Sequence, residues 1–250
     1  MFGFLRTLSA GLVLAVGLAQ ASPNPMACSG VCNNAHDSSI LQNKAGTYYR
    51  FSTGGGIAIH TAPALTGPWT YKGYALKSSK IDGNTNLWVR ALRALTRENE
   101  HRANINQAPD VTLVGNTYYM YYSTSTFGSQ KSSIGVATSS TMDVGSWTDH
   151  GSSGVSSSSG KAYNAIDGNL IWDGSAFYMN FGSFYGNIYQ VPMKNPPISS
   201  SGAAYNIEYN STGTRPSEGS FVFTWGDYFY LFFSSGSCCN LDKNLSLIHI

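Results

Sequence analysis

The feature that most constrains the fold is a degenerate internal repeat. Each copy combines an acidic residue, a short alternating apolar strand, a Gly-containing turn and an aromatic strand. The copies read HDSSILQNKAGTYYRFSTG from His36, APDVTLVGNTYYMYYST from Ala108, IDGNLIWDGSAFYMNFGS from Ile166 and SEGSFVFTWGDYFYLFFSS from Ser217. A strand, a tight turn and a second strand predict a β-hairpin. Because hairpins that recur about every 50 residues are typical of propeller blades, the repeat favours an all-β propeller over a β-sandwich, which does not need this recurrence.

One acidic residue stands at the head of each copy: Asp37, Asp110, Asp167 and Glu218. In a propeller the innermost strands of all blades line one axis, so equivalent positions converge at one end of it. We therefore predict that four carboxyl groups share one pocket. The alternative is that these residues are solvated turn residues that precede strands.

The composition excludes several classes of function. Hydrophobic residues make up 42% and aromatic residues 13% of the chain, enough for a core and too much for a disordered protein. Only 11% of the residues are charged, the net charge is +2, and no basic stripe is present. We therefore expect no nucleic-acid partner. No membrane partner is expected either, because no apolar segment approaches ~20 residues.

Residues 1–21 predict a secretory signal peptide. Arg6 precedes an apolar run over residues 8–18, and the AQA of residues 19–21 provides a cleavage site. A buried N-terminal helix is the alternative. We expect a secreted, extracellular monomer that begins near Ser22.

Secretion makes disulfides the expected state of Cys28, Cys32, Cys238 and Cys239. Four cysteines allow three connectivities, and the sequence leaves all three open. A zinc site is the weaker alternative, because no His lies at ligand spacing from either pair. The sequon at Asn210 predicts N-glycosylation.

Two segments depart from the pattern. Residues 89–107 hold four Arg and two Glu in 19 residues, and their removal would bring the first separation between acidic heads from 73 to 54 residues, close to the later 57 and 51. A helical insertion is one interpretation, since Leu92 and Leu95 lie three residues apart. We favour a retained intron, because its first and last codons can carry splice-site sequences.

Residues 245–250, LSLIHI, match the translation of a common sequencing adapter, so we expect native sequence to stop near Asn244.

Several stretches together resemble the fungal endo-arabinanases of glycoside hydrolase family 43. They are ACSGVCNNAHDSSI, STFGSQKSSIGVATSS, YNAIDGNL, NFGSF, EGSF and the NLW-APDV formed when 89–107 is removed. The resemblance runs from about residue 24 to residue 244. It implies a single catalytic domain over 22–250 with a five-bladed β-propeller fold, here truncated to about four blades. The loss of one blade leaves unpaired strand edges and exposed apolar sheet faces, so we expect the truncated chain to be inactive.

The resemblance implies cleavage of internal α-1,5-L-arabinofuranosidic bonds of linear arabinan and arabino-oligosaccharides, with inversion. Asp37 matches the general base, Glu218 the general acid, and Asp167 a third carboxylate that orients the acid and tunes its pKa. Glycoside hydrolysis needs two carboxyls with different tasks, which fits this assignment. Ser38 follows the base where the family usually has Pro, and Asp110 is interpreted as structural. The alternatives are an exo-acting arabinofuranosidase or xylosidase of the same family, or a non-catalytic sugar-binding propeller.

Substrate contacts implied by the resemblance involve aromatic side chains, which can stack on sugar rings, and the loops around them. These residues are Trp88, Phe127, Gly128, Asn164, Ala165, Ile166, Gly182, Ser183 and Phe184. His36 is expected to be part of the pocket wall. No metal ligand and no cofactor is assigned, although some relatives hold an ion near the axis.

Overall fold

The computed structural model describes residues 26–33, 35–81, 106–125, 129–213, 217–236 and 246–249. Within these residues the predicted all-β class is confirmed, since the secondary structure consists of strands without helices. The strands are β1 Ser39–Gln42, β2 Tyr48–Ser52, β3 Ala58–Ala62, β4 Thr70–Tyr74, β5 Asn106–Val114, β6 Thr117–Ser125, β7 Ser132–Ser139, β8 Thr148–Ser157, β9 Asn169–Trp172, β10 Phe177–Phe181, β11 Ile188–Met193, β12 Tyr205–Glu208, β13 Ser217–Trp225, β14 Tyr228–Ser235 and β15 Ser246–His249.

The strands form four antiparallel sheets in which neighbours in sequence are neighbours in space. Their orders are β1-β2-β3-β4, β5-β6-β7-β8, β9-β10-β11-β12 and β13-β14-β15. The first two strands of each sheet are the hairpins that the repeat predicts, so the four predicted hairpins are confirmed. In two of them the tight turn begins with Gly115 or Gly226, both with φ of 61°, a left-handed conformation that favours glycine.

The core lies between adjacent sheets and explains the aromatic second strands. In β6, Met120 and Tyr122 pack into a cluster with side chains of the first sheet, such as Phe51. Tyr121 points to the opposite face and packs with side chains of the third sheet, such as Phe181. Successive residues of a strand face opposite sides, so a strand covered on both faces reads as a continuous apolar run.

The first strands of successive sheets contact one another, β1 with β5, β5 with β9, and β9 with β13. This arrangement brings the heads of the four repeat copies to one region of the molecule. It is the feature of the fold that positions the candidate site.

The N-terminal part of the described chain is fastened to the first sheet. Cys28 and Cys32 form a disulfide, which realises one of the pairings left open by the sequence. The guanidinium of Arg50 donates a hydrogen bond to the carbonyl of Val31 and lies over the ring of Trp69. The segment that leads to the first repeat copy is therefore held against β2.

Several sequence predictions fall outside the described residues. These are the signal peptide at 1–21, Cys238 and Cys239, the substrate-contact candidates Trp88, Phe127 and Gly128, and residues 89–105 of the proposed insertion. The last two residues of that insertion, Asn106 and Gln107, begin β5 and are separated from Asp110 by a register shift. Residues 246–249 of the proposed non-native tail pair with β14. In the described part of the chain no helix is long and apolar enough to cross a membrane.

Candidate active site

The four acidic heads meet in one pocket, as the repeat predicts. Asp37, Asp110, Asp167 and Glu218 all line it, although up to 181 residues of sequence separate them. His36 also lines the pocket, at its exposed wall. The convergence follows from the contacts among the first strands of the four sheets.

In the second copy the acidic residue lies two positions further along the chain than in the first and third copies. Asp37 and Asp167 lie two residues before β1 and β9 and adopt left-handed φ angles of 46° and 62°. In the second copy the left-handed residue is Ala108, with φ of 47°, and Asp110 lies two residues further on inside β5. Asp110 is therefore the structural counterpart of Ser39 and not of Asp37, which corrects the alignment of the repeat on its acidic residues.

Left-handed backbone at a non-glycine residue costs on the order of 1 kcal/mol or more and often marks functional sites. Besides Asp37, Asp167 and Ala108, the neighbouring pocket residues Phe184 and Tyr185 also adopt it, with φ angles of 52° and 49°. In the fourth copy the left-handed position falls on Gly219, directly after Glu218, where no such cost arises. The strain in the pocket thus lies at two of the carboxylates, at Ala108 and at two adjacent aromatic residues.

Asp37 is the most exposed carboxylate of the pocket. Its side chain is 38% exposed, and its Oδ2 accepts hydrogen bonds from His36 Nδ1 at 2.7 Å and from Thr53 Oγ1 at 2.9 Å. These two donors fix the carboxylate, while its exposure leaves it open to water. A fixed carboxylate in contact with water can accept a proton from that water.

Glu218 is held by the loop that follows β10. Its Oε2 accepts a hydrogen bond of 2.8 Å from Ser183 Oγ, and Ser183 and Glu218 also form an isolated β-bridge. The backbone N–H of Phe184 donates to the carbonyl of Ser217 at 2.9 Å. The loop and the first residues of β13 therefore form one unit that orients this carboxyl group.

Asp167 lies near the other two carboxyls. Burial, together with the charges of Asp37 and Glu218, raises its pKa to about 8, against a hydrogen bond from the N–H of Gly219. Its own N–H donates to Ser123 Oγ at 3.1 Å. Asp167 therefore retains its proton at neutral pH.

Asp110 is partly buried, and this burial raises its pKa to about 6. Its Oδ2 accepts a hydrogen bond of 3.2 Å from Asn169 Nδ2. Asp110 thus contacts a side chain of β9, and its interpretation as structural stays a prediction.

The remaining substrate-contact candidates divide by position. Asn164, Ile166, Ser183 and Phe184 line the pocket. The Oδ1 of Asn164 is taken up by hydrogen bonds from Ser132 and Ser157.

The other two candidates are not part of the pocket lining. Ala165 is fully buried in the core between the second and third sheets. Gly182 has φ of 133°, and a Cβ there would lie 2.0 Å from the carbonyl oxygen of Asn187. Both therefore shape the backbone around the pocket.

Sequence reasoning missed the contacts that a set of hydroxyl residues makes. Near the end of the second strand of each of the first three hairpins, a hydroxyl contacts the head of the next copy. Thr53 Oγ1 accepts the N–H of Ala108 at 2.9 Å, Ser123 Oγ accepts the N–H of Asp167, and Ser183 Oγ donates to Glu218. The signal was present in the repeat, whose copies end in STG, ST, GS and SS.

Metal binding has no ligand set in the described residues. No group of three or more His, Cys, Asp or Glu side chains among them is arranged to hold an ion. The ion suggested near the axis by the family resemblance thus has no assigned ligands.

Sequence comparisons with known proteins agree on one family. The sequence model of the glycosyl hydrolases family 43 matches residues 33–245. The chain is 50% identical over 247 residues to arabinan endo-1,5-alpha-L-arabinosidase A of Aspergillus aculeatus, which covers 98% of this chain and 70% of that protein.

Solved structures agree with this similarity. A GH43 endo-arabinanase from Bacillus licheniformis aligns with a TM-score of 0.72 at 26% identity over 90% of this chain and 73% of its own. The Cellvibrio cellulosa alpha-L-arabinanase complexed with arabinohexaose aligns with a TM-score of 0.67 at 26% identity, over 86% of this chain and 69% of its own.

Proposed function

Because the chain belongs to glycosyl hydrolases family 43, we propose that it is a secreted glycosidase that cleaves internal α-1,5-L-arabinofuranosidic bonds of linear arabinan with inversion. The observation that carries the proposal is the pocket in which three carboxyls have three different surroundings. Asp37 is open to water, Glu218 is held by Ser183, and Asp167 is partly buried near the charges of both.

Each carboxyl takes one role in this mechanism. Asp37 is the general base, because its fixed and exposed carboxylate can take a proton from the attacking water. Glu218 is the general acid that protonates the leaving oxygen. In an inverting enzyme these two groups stand ~6.5–9.5 Å apart, which leaves room for the water.

Asp167 supports the general acid Glu218 by keeping a proton in the pocket next to it. Burial and the charges of Asp37 and Glu218 raise its pKa to about 8, so the pocket holds a proton at neutral pH. When that proton resides on Glu218, the acid is ready to donate it. The N–H of Gly219, which binds Asp167, couples the two residues through the backbone of β13.

The substrate is proposed to lie across the pocket in contact with Phe184, Ser183, Asn164 and Ile166. Trp88, Phe127 and Gly128 complete the proposed contacts, and Ala165 and Gly182 contribute through the backbone. The fold proposed for this site is a five-bladed propeller in which the four sheets are blades and β1, β5, β9 and β13 line the axis. The enzyme is proposed to act as a monomer after removal of residues 1–21.

The experiment measures reducing ends released from debranched arabinan by wild-type protein and by Asp37→Ala and Glu218→Ala. Each variant is expected to lose cleavage while secretion and folding stay unchanged. Asp227→Ala is the matched control, because Asp227 lies in the exposed turn of the same hairpin as Glu218. Full activity in either catalytic variant contradicts the assignment.

Two further readouts separate the alternatives. An endo-acting enzyme releases oligosaccharides early, whereas an exo-acting one releases only monomer, and a sugar-binding protein releases neither. NMR of the first-formed product identifies the anomer and so tests inversion. Glu218→Ala should retain more activity on an aryl arabinoside than on arabinan, because a good leaving group needs no proton.

A further inference from the structure

Next to the three proposed catalytic carboxyls, groups from all four sheets meet in one hydrogen-bonded cluster. We call it the axial cluster; it consists of the side chains of Ser39, Asp110 and Asn169 and the backbone N–H of Val222. These residues come from β1, β5, β9 and β13 respectively. No part of the mechanism above uses them.

Asn169 is the centre of the cluster. Its side chain is only 3% exposed. Its Nδ2 donates to Asp110 Oδ2 at 3.2 Å, and its Oδ1 accepts the N–H of Val222 at 2.9 Å and the Nδ2 of Asn180 at 3.3 Å. One amide therefore joins the first strands of three sheets.

Asp110 extends the cluster to the remaining sheet. Hydrogen bonds from Ser39 and from the backbone N–H of Leu170 favour its charged form. Ser39 Oγ also accepts the N–H of Val111 at 3.1 Å. The carboxyl of Asp110 is therefore bound from β1 and from β9 at once.

The position of the cluster relative to the site is regular. Ser39 follows Asp37 by two residues and Asn169 follows Asp167 by two, so each lies one strand pleat beyond a catalytic candidate. Val222 lies on the strand that carries Glu218, beyond the register shift between Glu218 and Phe221. If these strand positions are fixed, the backbone from which each of the three catalytic side chains extends is fixed as well.

We propose that the axial cluster sets the distances among Asp37, Asp167 and Glu218, with Asn169 as its central positioning residue. This inference rests on the proposed function. Inversion needs a defined separation of acid and base, and the electrostatic coupling of the trio varies with distance. A shift of about 1 Å far from the reacting atoms can lower a rate by ~10²-fold.

The test exchanges donor and acceptor between Asn169 and Asp110. Asn169→Asp keeps an acceptor for the N–H of Val222 but places a second carboxyl next to that of Asp110. Either one of the two carboxyls then takes up a proton, or their charges repel each other. The double variant Asn169→Asp with Asp110→Asn reverses the hydrogen bond and keeps the total charge. If position is what matters, the double variant restores function.

Tyr205→Phe is the matched control. The ladder of hydrogen bonds that starts at Asn169 continues across β10, β11 and β12 through Asn180 and Gln190 to Tyr205, which is 46% exposed at the outer strand. Loss of this outermost rung weakens the same sheet without touching the axis. It is therefore expected to leave kcat and KM unchanged.

Steady-state kinetics on debranched arabinan across pH and a 13C NMR titration of Asp167 provide the readouts. Asn169→Asp should lower kcat at least ~10-fold with KM within ~2-fold, and should move the pKa of Asp167. The double variant should recover kcat to within ~3-fold of wild type and return the pKa of Asp167 to its wild-type value.

Three results would overturn the inference. One is a folded Asn169→Asp variant with unchanged kcat, pH profile and Asp167 titration. Another is a folded double variant in which neither kcat nor the titration of Asp167 returns to its wild-type value. This second result overturns the inference even if the single variant does not fold. If wild-type protein does not cleave arabinan, the proposed function fails, and an unchanged Asp167 titration in the variants alone then overturns the inference.

Discussion

Replacement of Asp167 by Asn is expected to stabilise the fold at alkaline pH while it impairs catalysis. The native state resists ionisation of this carboxyl, because burial and the charges of Asp37 and Glu218 raise its pKa from 3.8 to about 8. Asn has the same shape and retains an oxygen to accept the N–H of Gly219. The substitution thus removes the ionisation and little else.

The magnitude follows from the linkage between protonation and folding. Because the folded pKa lies above the unfolded one, the native state binds more protons between about pH 4 and pH 8, and wild-type stability falls as pH rises through that window. Each pKa unit corresponds to ~1.4 kcal/mol. Since the side chain is partly exposed and screening reduces the effect, we expect the variant to gain ~2–4 kcal/mol relative to wild type between pH 5 and pH 9.

The assay is urea denaturation of both proteins at pH 5, 7 and 9, followed by an aromatic signal. Asp173→Asn is the control, because Asp173 is fully exposed and hydrogen bonds from Ala176 and Ser175 lower its pKa. Its carboxyl is ionised in both states over this range, so its free-energy difference from wild type should stay constant. Parallel stability curves for wild type and Asp167→Asn would refute the proposed origin of the raised pKa.

Two further substitutions probe the site and the core. Ser183→Ala removes the 2.8 Å hydrogen bond to Glu218 and should lower kcat by ~10-fold, with the urea midpoint unchanged and with recovery in Ser183→Thr. Gly135→Ala would place a Cβ 2.3 Å from the ring of Tyr122, so it should lower the free energy of unfolding by ~1–3 kcal/mol in urea denaturation, and an unchanged midpoint would contradict that packing.

The hairpins and the shared pocket were predictable from sequence because both follow from alternation and recurrence. Strand β6 reads TYYMYYSTS, and its aromatic run is explained by sheets that cover both of its faces. Hydroxyl contacts such as that of Ser123 with Asp167 were not predicted, although a small polar residue ends each copy. Such contacts depend on which copy lies next in space, and the period of a repeat does not reveal that.

The position of Asp110 was beyond sequence reasoning for a different reason. An alignment on charge treats the four acids as equivalent, whereas the backbone groups Asp37 and Asp167 with Ala108 by their left-handed φ angles. Conformation at a single residue is decided by tertiary contacts, here by the hydroxyl of Thr53, which binds the N–H of Ala108. The displaced carboxyl then reaches Asn169 instead of the catalytic trio.

This displacement suggests how a repeated scaffold acquires an asymmetric site. The left-handed position holds Asp in the first and third copies, Ala in the second and Gly in the fourth, where Glu218 precedes it. If every copy carried a carboxylate there, four like charges would meet in one pocket and repel one another. Ala108 in place of a fourth acid, with the remaining carboxyl moved one pleat along the strand, leaves three interacting groups. The carboxyl of Asp110 then becomes available to bind the first strands together.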